Sequence, residues 1–162
     1  MPRKKKPVNT AAVGTVQHDS LPRPVTDEEW ADYSAAFPGL TRANVYVTSP
    51  GCYDGYNCIG WTVGDTTLEF DVEAVTGMVR FYLDMGFVEV PAGHDAADVD
   101  LMAISNGHFA SHATKKYTGP KIDGMPDDLW ESKLYPGARV THGRLELAGE
   151  TYGALVKSFR KA

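Results

Sequence analysis

Two side chains in this sequence are of the types that nucleophilic amide chemistry uses. Cys58 lies in Tyr56-Asn57-Cys58-Ile59-Gly60-Trp61, an apolar run entered from the turn-rich segment 49–55. Read as the start of a short helix, the run puts the thiol where the helix dipole and free backbone N–H groups favour thiolate. His112 falls on a segment read as a strand. An imidazole there could take the thiol proton and later protonate a leaving group. The two residues are 54 positions apart, so only tertiary structure can join them. A plainer reading stands beside this one. A cysteine in an apolar helix is commonly a small core residue, and a histidine on a half-buried strand is commonly a hydrogen-bonded core group.

Other chemistries find less footing. His108 and His112, with Cys58 or His142 added, would make a metal set. Strand residues four apart are separated by roughly 13 Å, too far for one ion. The spacings C-x-x-C and H-E-x-x-H are absent, as are the glycine-rich phosphate loops and G-x-S-x-G. No metal and no cofactor is therefore expected. The net charge is −5, and four of the sixteen basic side chains lie in Arg3 to Lys6, so the rest of the chain carries −9. That balance disfavours a nucleic-acid face on the folded domain. No apolar stretch approaches the roughly 20 residues of a membrane span, and the basic start leads into Pro7-Val8-Asn9-Thr10 rather than an apolar leader. The expectation is an intracellular protein without membrane contact, with nuclear import or non-classical delivery left open by the basic run. Cys52 and Cys58 are read as free thiols, because nothing signals export.

The elements that must position these residues can be read in order. Residues 1–24 read as a flexible, basic, proline-rich arm and 25–162 as one domain. Thr26-Asp27-Glu28-Glu29 is a capping box, and Trp30, Tyr33, Ala36 and Phe37 continue as a short amphipathic helix stopped by Pro38-Gly39. A second helix is predicted over 72–85, capped by Asp71, with Val72, Val75, Met78, Val79, Tyr82 and Met85 as its apolar stripe. Strands are predicted at 44–48, 87–90, 129–134 and 139–142, and a strand or helix at 152–160. Asn106-Gly107 between two extended runs predicts a hairpin over 99–114. Its alternation would put Leu101, Ala103, His108, Ala110 and His112 on one face, turned toward the helices and Cys58. Trp61, Trp130, Phe109 and Tyr152 read as core. Helices first and strands later give an α+β class with segregated layers.

Taken together, the N-C-x-x-W run at Asn57 to Trp61, His112-Ala113, Ser132-Lys133-Leu134, Val140-Thr141-His142 and Tyr152-Gly153 resemble a group of uncharacterised microbial proteins that carry these motifs in this order. The layout is also similar to the minimal papain-like fold of NlpC-type and CHAP cysteine peptidases and amidases. That resemblance implies N-terminal helices packed on a small antiparallel sheet. It implies Cys58 as nucleophile, His112 as general base, and an oxyanion held at the Cys58 backbone N–H with a further donor from Tyr56 or Asn57. A third polar residue would orient the imidazole. Ser132 matches the family motif, Glu131 is chemically better but alternates to the other face, and His142 matches a motif as well.

The function that follows is a thiol hydrolase or acyl transferase. It would act on an amide of a peptide or protein through an acyl-thioester, as a peptidase, amidase or deamidase. Two alternatives stand against it. One is an inactive papain-like binding or interaction module in which Cys58 is structural. The other is an effector or toxin domain that uses the same chemistry on a host protein. Substrate and oligomeric state are not written in the sequence.

Overall fold

A computed structural model describes residues 3–4, 21–50, 57–65, 68–69, 74–134 and 137–162. Thr26 starts helix α1 (Asp27–Ala36) as the sequence demands: its hydroxyl accepts from Glu29 N at 3.1 Å, and Glu29 Oε1 accepts from Thr26 N at 2.9 Å. This satisfies two backbone donors that a helix start otherwise leaves open. Helix α2 (Cys58–Thr62) and helix α3 (Val75–Asp84) follow. The α3 stripe buries Val75, Met78 and Tyr82. Asp71 and Val72 lie outside the described residues. Gly86, at φ +92°, ends the helix in a backbone region that suits glycine.

The strands are β1 (Arg3–Lys4), β2 (Arg23–Pro24), β3 (Tyr46–Val47), β4 (Leu68–Glu69), β5 (Phe87–Val90), β6 (Val99–Ile104), β7 (Phe109–Lys116), β8 (Trp130–Lys133), β9 (Arg139–His142) and β10 (Ala154–Lys161). β1 and β4 pair with each other. The other eight form one antiparallel sheet in the order β2-β3-β9-β8-β7-β6-β10-β5. No helix among the described residues is long and apolar enough to cross a membrane.

This overturns the expected α+β, papain-like arrangement of N-terminal helices on a small sheet. The fold is β-rich, and the α-helices among the described residues, of 10, 5 and 10 residues, divide between the two faces of a wide sheet. On one face Ile59 of α2 and Val75, Met78 and Tyr82 of α3 meet Leu101, Ala113 and Phe159. On the other, Trp30 and Tyr33 of α1 join Leu40, Val47, Met102, Val140 and Leu147. Two-residue strands such as β2 and β3 are too short to show an alternation in sequence, yet they carry the sheet two positions past β9.

The hairpin forms, with its loop at Ser105 to His108. Ser105, Asn106 and Gly107 all take positive φ, and Ile104 pairs with Phe109. Ala103 lies opposite Ala110, as a turn at Asn106-Gly107 requires, but Leu101 does not lie opposite His112: the register shifts, so that Met102 faces His112 and Leu101 faces Ala113. Ser111 is the extra residue of a β-bulge, its hydroxyl held by the carbonyl of Tyr152. A one-residue slip turns every later side chain over. His112 therefore leaves the face of Leu101, Ala103 and Ala110 and joins Met102 on the opposite side. Phe109, read as core, is exposed.

Candidate functional site

Asn57 is the N-cap of α2, its side-chain oxygen accepting from Gly60 N at 3.1 Å. It opens the helix at Cys58, as the sequence reading required. Cys58 is a free thiol packed against the α2–α3 core, beside Ala113. Burial pushes its pKa up. Backbone hydrogen bonds from Ala113, Ile59 and its own residue, and the charge of Lys133, oppose that rise. Lys133 is itself buried, with Nζ donating to the Gly137 carbonyl at 2.8 Å. Tyr56 and Cys52 lie outside the described residues.

His112, Ser132 and His142 come together, on the other face. His112 Nε2 lies 3.0 Å from Ser132 Oγ, and Ser132 Oγ lies 2.7 Å from His142 Nε2. All three residues are fully buried. The proton order follows from what each atom can do. His142 Nδ1 is 2.7 Å from the Gly143 carbonyl, which only accepts, so Nδ1 carries the ring proton and Nε2 must accept. Thr114 also touches Nε2, at 3.3 Å, but its hydroxyl proton goes to the Glu131 carbonyl at 3.0 Å. Ser132 therefore donates to His142 Nε2, and its oxygen accepts from His112 Nε2–H. The result is one directed chain, His112 to Ser132 to His142 to the Gly143 carbonyl. Tyr152 lies flat on the His112 ring, centroids 4.0 Å apart and planes 3° from parallel.

Electrostatics match a structural chain of neutral rings. Burial, and then repulsion from His142, lowers the His112 pKa to about 3. Burial lowers His142 to about 4, against the Gly143 hydrogen bond and the charges of Glu146 and Asp100. Ser132 and Glu131 alternate as expected but with the faces exchanged: Glu131, expected to point away from Cys58, is on the α2 face, where it accepts from Thr48 Oγ1 at 2.5 Å and burial raises its pKa. Of the five expected catalytic residues, three share one cluster. Cys58 and Glu131 are on the far side of the sheet from it. Replacing Ser132 with Ala leaves a buried donor and a buried acceptor unpaired, so a loss of about 2–4 kcal/mol is expected in urea unfolding at pH 7.5. A loss under about 0.5 kcal/mol would mean the chain contributes nothing.

Two groups were not foreseen. Asp100, buried, is gripped by Arg144 through Nε at 2.6 Å and Nη2 at 2.8 Å, and Arg144 lies over Trp130 at 4.5 Å. This pair fastens the segment after β9 onto the sheet. A cavity of about 260 Å³ lies at the end of α2, lined by Lys115, Lys116 and Lys161 among others. The Lys115-Lys116 pair in an otherwise acidic chain was the available signal for it. Among the described residues, no group of three His, Cys, Asp or Glu side chains is placed to hold a metal.

The family described as "Domain of unknown function (DUF7689)" matches residues 46–160. The chain belongs to this family. The matched span runs from β3 almost to the end of β10, so the DUF7689 region holds α2, the His112–Ser132–His142 chain and all of the cavity lining except Lys161, one residue beyond it. No match is found among curated proteins or among solved structures.

Proposed function

We propose that this DUF7689 protein is a non-catalytic binding module in which Cys58 and His112 serve the core. The observation that carries the reading is the bulge at Ser111, which leaves the thiol and the imidazole on opposite faces of the sheet. A nucleophile and its base must come within hydrogen-bond reach. His112 spends its Nε2 proton on Ser132 and one ring face on Tyr152. The rival reading, a thiol hydrolase or acyl transferase acting on an amide, draws support from Lys133 and the backbone N–H groups that favour a Cys58 thiolate, but burial outweighs them. The free thiol at Cys58 supports a reducing, intracellular setting.

Iodoacetamide labelling of Cys58, followed by peptide mass mapping across pH, separates the two. The binding reading expects labelling at least about tenfold slower in the native protein than in denaturant, with no thiolate titrating below about 8.5. Cys58→Ser should cost about 1 kcal/mol and leave the fold intact. A thiolate well below about 8.5 whose pKa rises in His112→Ala would overturn the proposal in favour of thiol chemistry.

A further inference from the structure

The 260 Å³ cavity has an apolar floor of Val63, Phe87 and Val99 and a rim of Lys115, Lys116, Lys161, Thr118 and Asp98. Each lysine is parked on a neutral group. Lys115 Nζ lies 3.8 Å from the centre of the Trp61 ring, Lys161 Nζ 4.8 Å from that of Phe87, and Lys116 Nζ donates to the Asp95 carbonyl at 3.3 Å. None of the three forms an ion pair with a carboxylate among the described residues. Asp98 already accepts from the Lys161 backbone N–H at 2.8 Å, and its backbone N–H and carbonyl join Phe159 and Lys116 in the sheet edge.

Burial, and the charges of Arg139 and Lys161, disfavour the Lys115 ammonium, while Glu131, its cross-strand partner, favours it. The chain as a whole is acidic, so a basic rim stands out against its own field. Lys115 and Lys161 bring two ammonium groups to the α2 face of the rim, whereas Lys116, next along β7, turns to the other face and sets its Nζ on the Asp95 carbonyl. A phosphate monoester carries about −1.5 to −2 at neutral pH and accepts on three oxygens, so it can take a charged donor from each of these two lysines. The apolar floor would hold the ester's carbon portion.

We infer that this cavity binds a phosphate monoester, with Lys115 and Lys161 as its donors. The inference rests on the binding-module reading and gives it a site and a ligand class. The ester could belong to a phosphorylated small molecule or to a phosphoserine side chain.

The test is calorimetric titration of the full chain with glycerol 3-phosphate, a phosphoserine peptide and succinate at constant ionic strength. The variants are Lys115→Gln and Lys161→Gln, with Lys157→Gln as a control, since Lys157 pairs with Glu89 away from the rim. Saturable binding of the small ester with Kd near 1 mM or tighter, weakened about tenfold or more by either rim variant and unchanged in the control, is the expected result. Tighter binding of the phosphoserine peptide would assign the ester to a protein partner, and equal or weaker binding would assign it to a small molecule. No saturable heat up to about 10 mM, equal binding of succinate, or rim variants that bind like the wild type would overturn the inference. If amide turnover blocked by Cys58→Ser accompanies phosphate binding, the non-catalytic reading falls and the site stands. If neither turnover nor phosphate binding appears, the site falls alone.

Discussion

Acidification from pH 7 to pH 4.5 should unfold this protein more steeply than carboxylate protonation alone would explain. His112 and His142 are neutral and buried, with folded pKa values near 3 and 4 against an ordinary value of 6.5. A group whose folded pKa is depressed contributes stability that is whole above its unfolded pKa and lost as pH falls toward its folded one. For these imidazoles the window runs from about 6.5 down to about 4. Within it each unfolded ring binds a proton the folded ring refuses, so each contributes a slope of about 1.4 kcal/mol per pH unit. Both together remove several kcal/mol by pH 4.5, a large part of the roughly 5–15 kcal/mol a domain holds. The charges facing the cluster act in both directions. Glu146 and Asp100 favour protonation of His142, while the His142 ring disfavours that of His112. Glu131 has a raised pKa because of burial, so the fold binds its proton more readily than the unfolded chain and this offsets part of the loss. Urea unfolding at half-unit steps should give a slope approaching two protons taken up on unfolding between pH 6 and 5. Stability that stays flat from pH 7 to 5 would show that the two rings are not held neutral.

The same cluster shows how far the sequence could be read. Periodicity in α1 and α3, the helix start at Cys58 and the Asn106-Gly107 turn are local signals, and each puts its element in place. Ser132 and Glu131 on opposite faces followed from strand alternation alone. The motif order also brought Ser132 and His142 forward before any contact was known. What failed was non-local. The bulge at Ser111 has no mark in a single sequence, since its anchor is the Tyr152 carbonyl 41 residues away. That one residue decides whether His112 sees Cys58 or Ser132. The fold class failed for a related reason. Strand lengths are local, but the joining of β5, β10 and β6 at one end and β3 and β2 at the other depends on partners far apart in the chain. The rim of the phosphate cavity is likewise assembled from α2, the end of β7 and the end of β10.

Gly153→Ala should be the most damaging single methyl group in the molecule. Gly153 precedes β10 and takes φ +78°, where a side chain is strained wherever it points. Space is lacking as well. A Cβ built there would lie 1.9 Å from the Ala103 carbonyl oxygen and 2.6 Å from its carbon, both backbone atoms of β6. Ala103 cannot yield cheaply, because it pairs with Ala154 on one side and Ala110 on the other, in the centre of the sheet. The backbone of Gly153 is also committed, exchanging two hydrogen bonds with Gly149 at 2.7 and 2.9 Å. Tyr152, its neighbour, covers His112 and pairs with Phe37 at 5.1 Å between ring centres. Pushing the chain away from Ala103 therefore lifts Tyr152 off the histidine cluster and opens the start of β10 together. Relief by side-chain rotation, which rescues many overpacked sites, is not open to a clash between a methyl group and a carbonyl. A loss of more than about 3 kcal/mol, at the large end of single substitutions, is expected in urea unfolding at pH 7.5. Gly64→Ala is the matched control. Gly64 has nearly the same φ, +79°, and nothing within 4 Å of the added carbon, so it reports the strain without the clash and should cost only about 1 kcal/mol. Equal losses in the two variants would mean that φ alone fixes glycine at 153. A much larger loss at Gly153 would give the Tyr152-Gly153 motif its physical meaning, a residue without a side chain where the start of β10 crosses against β6.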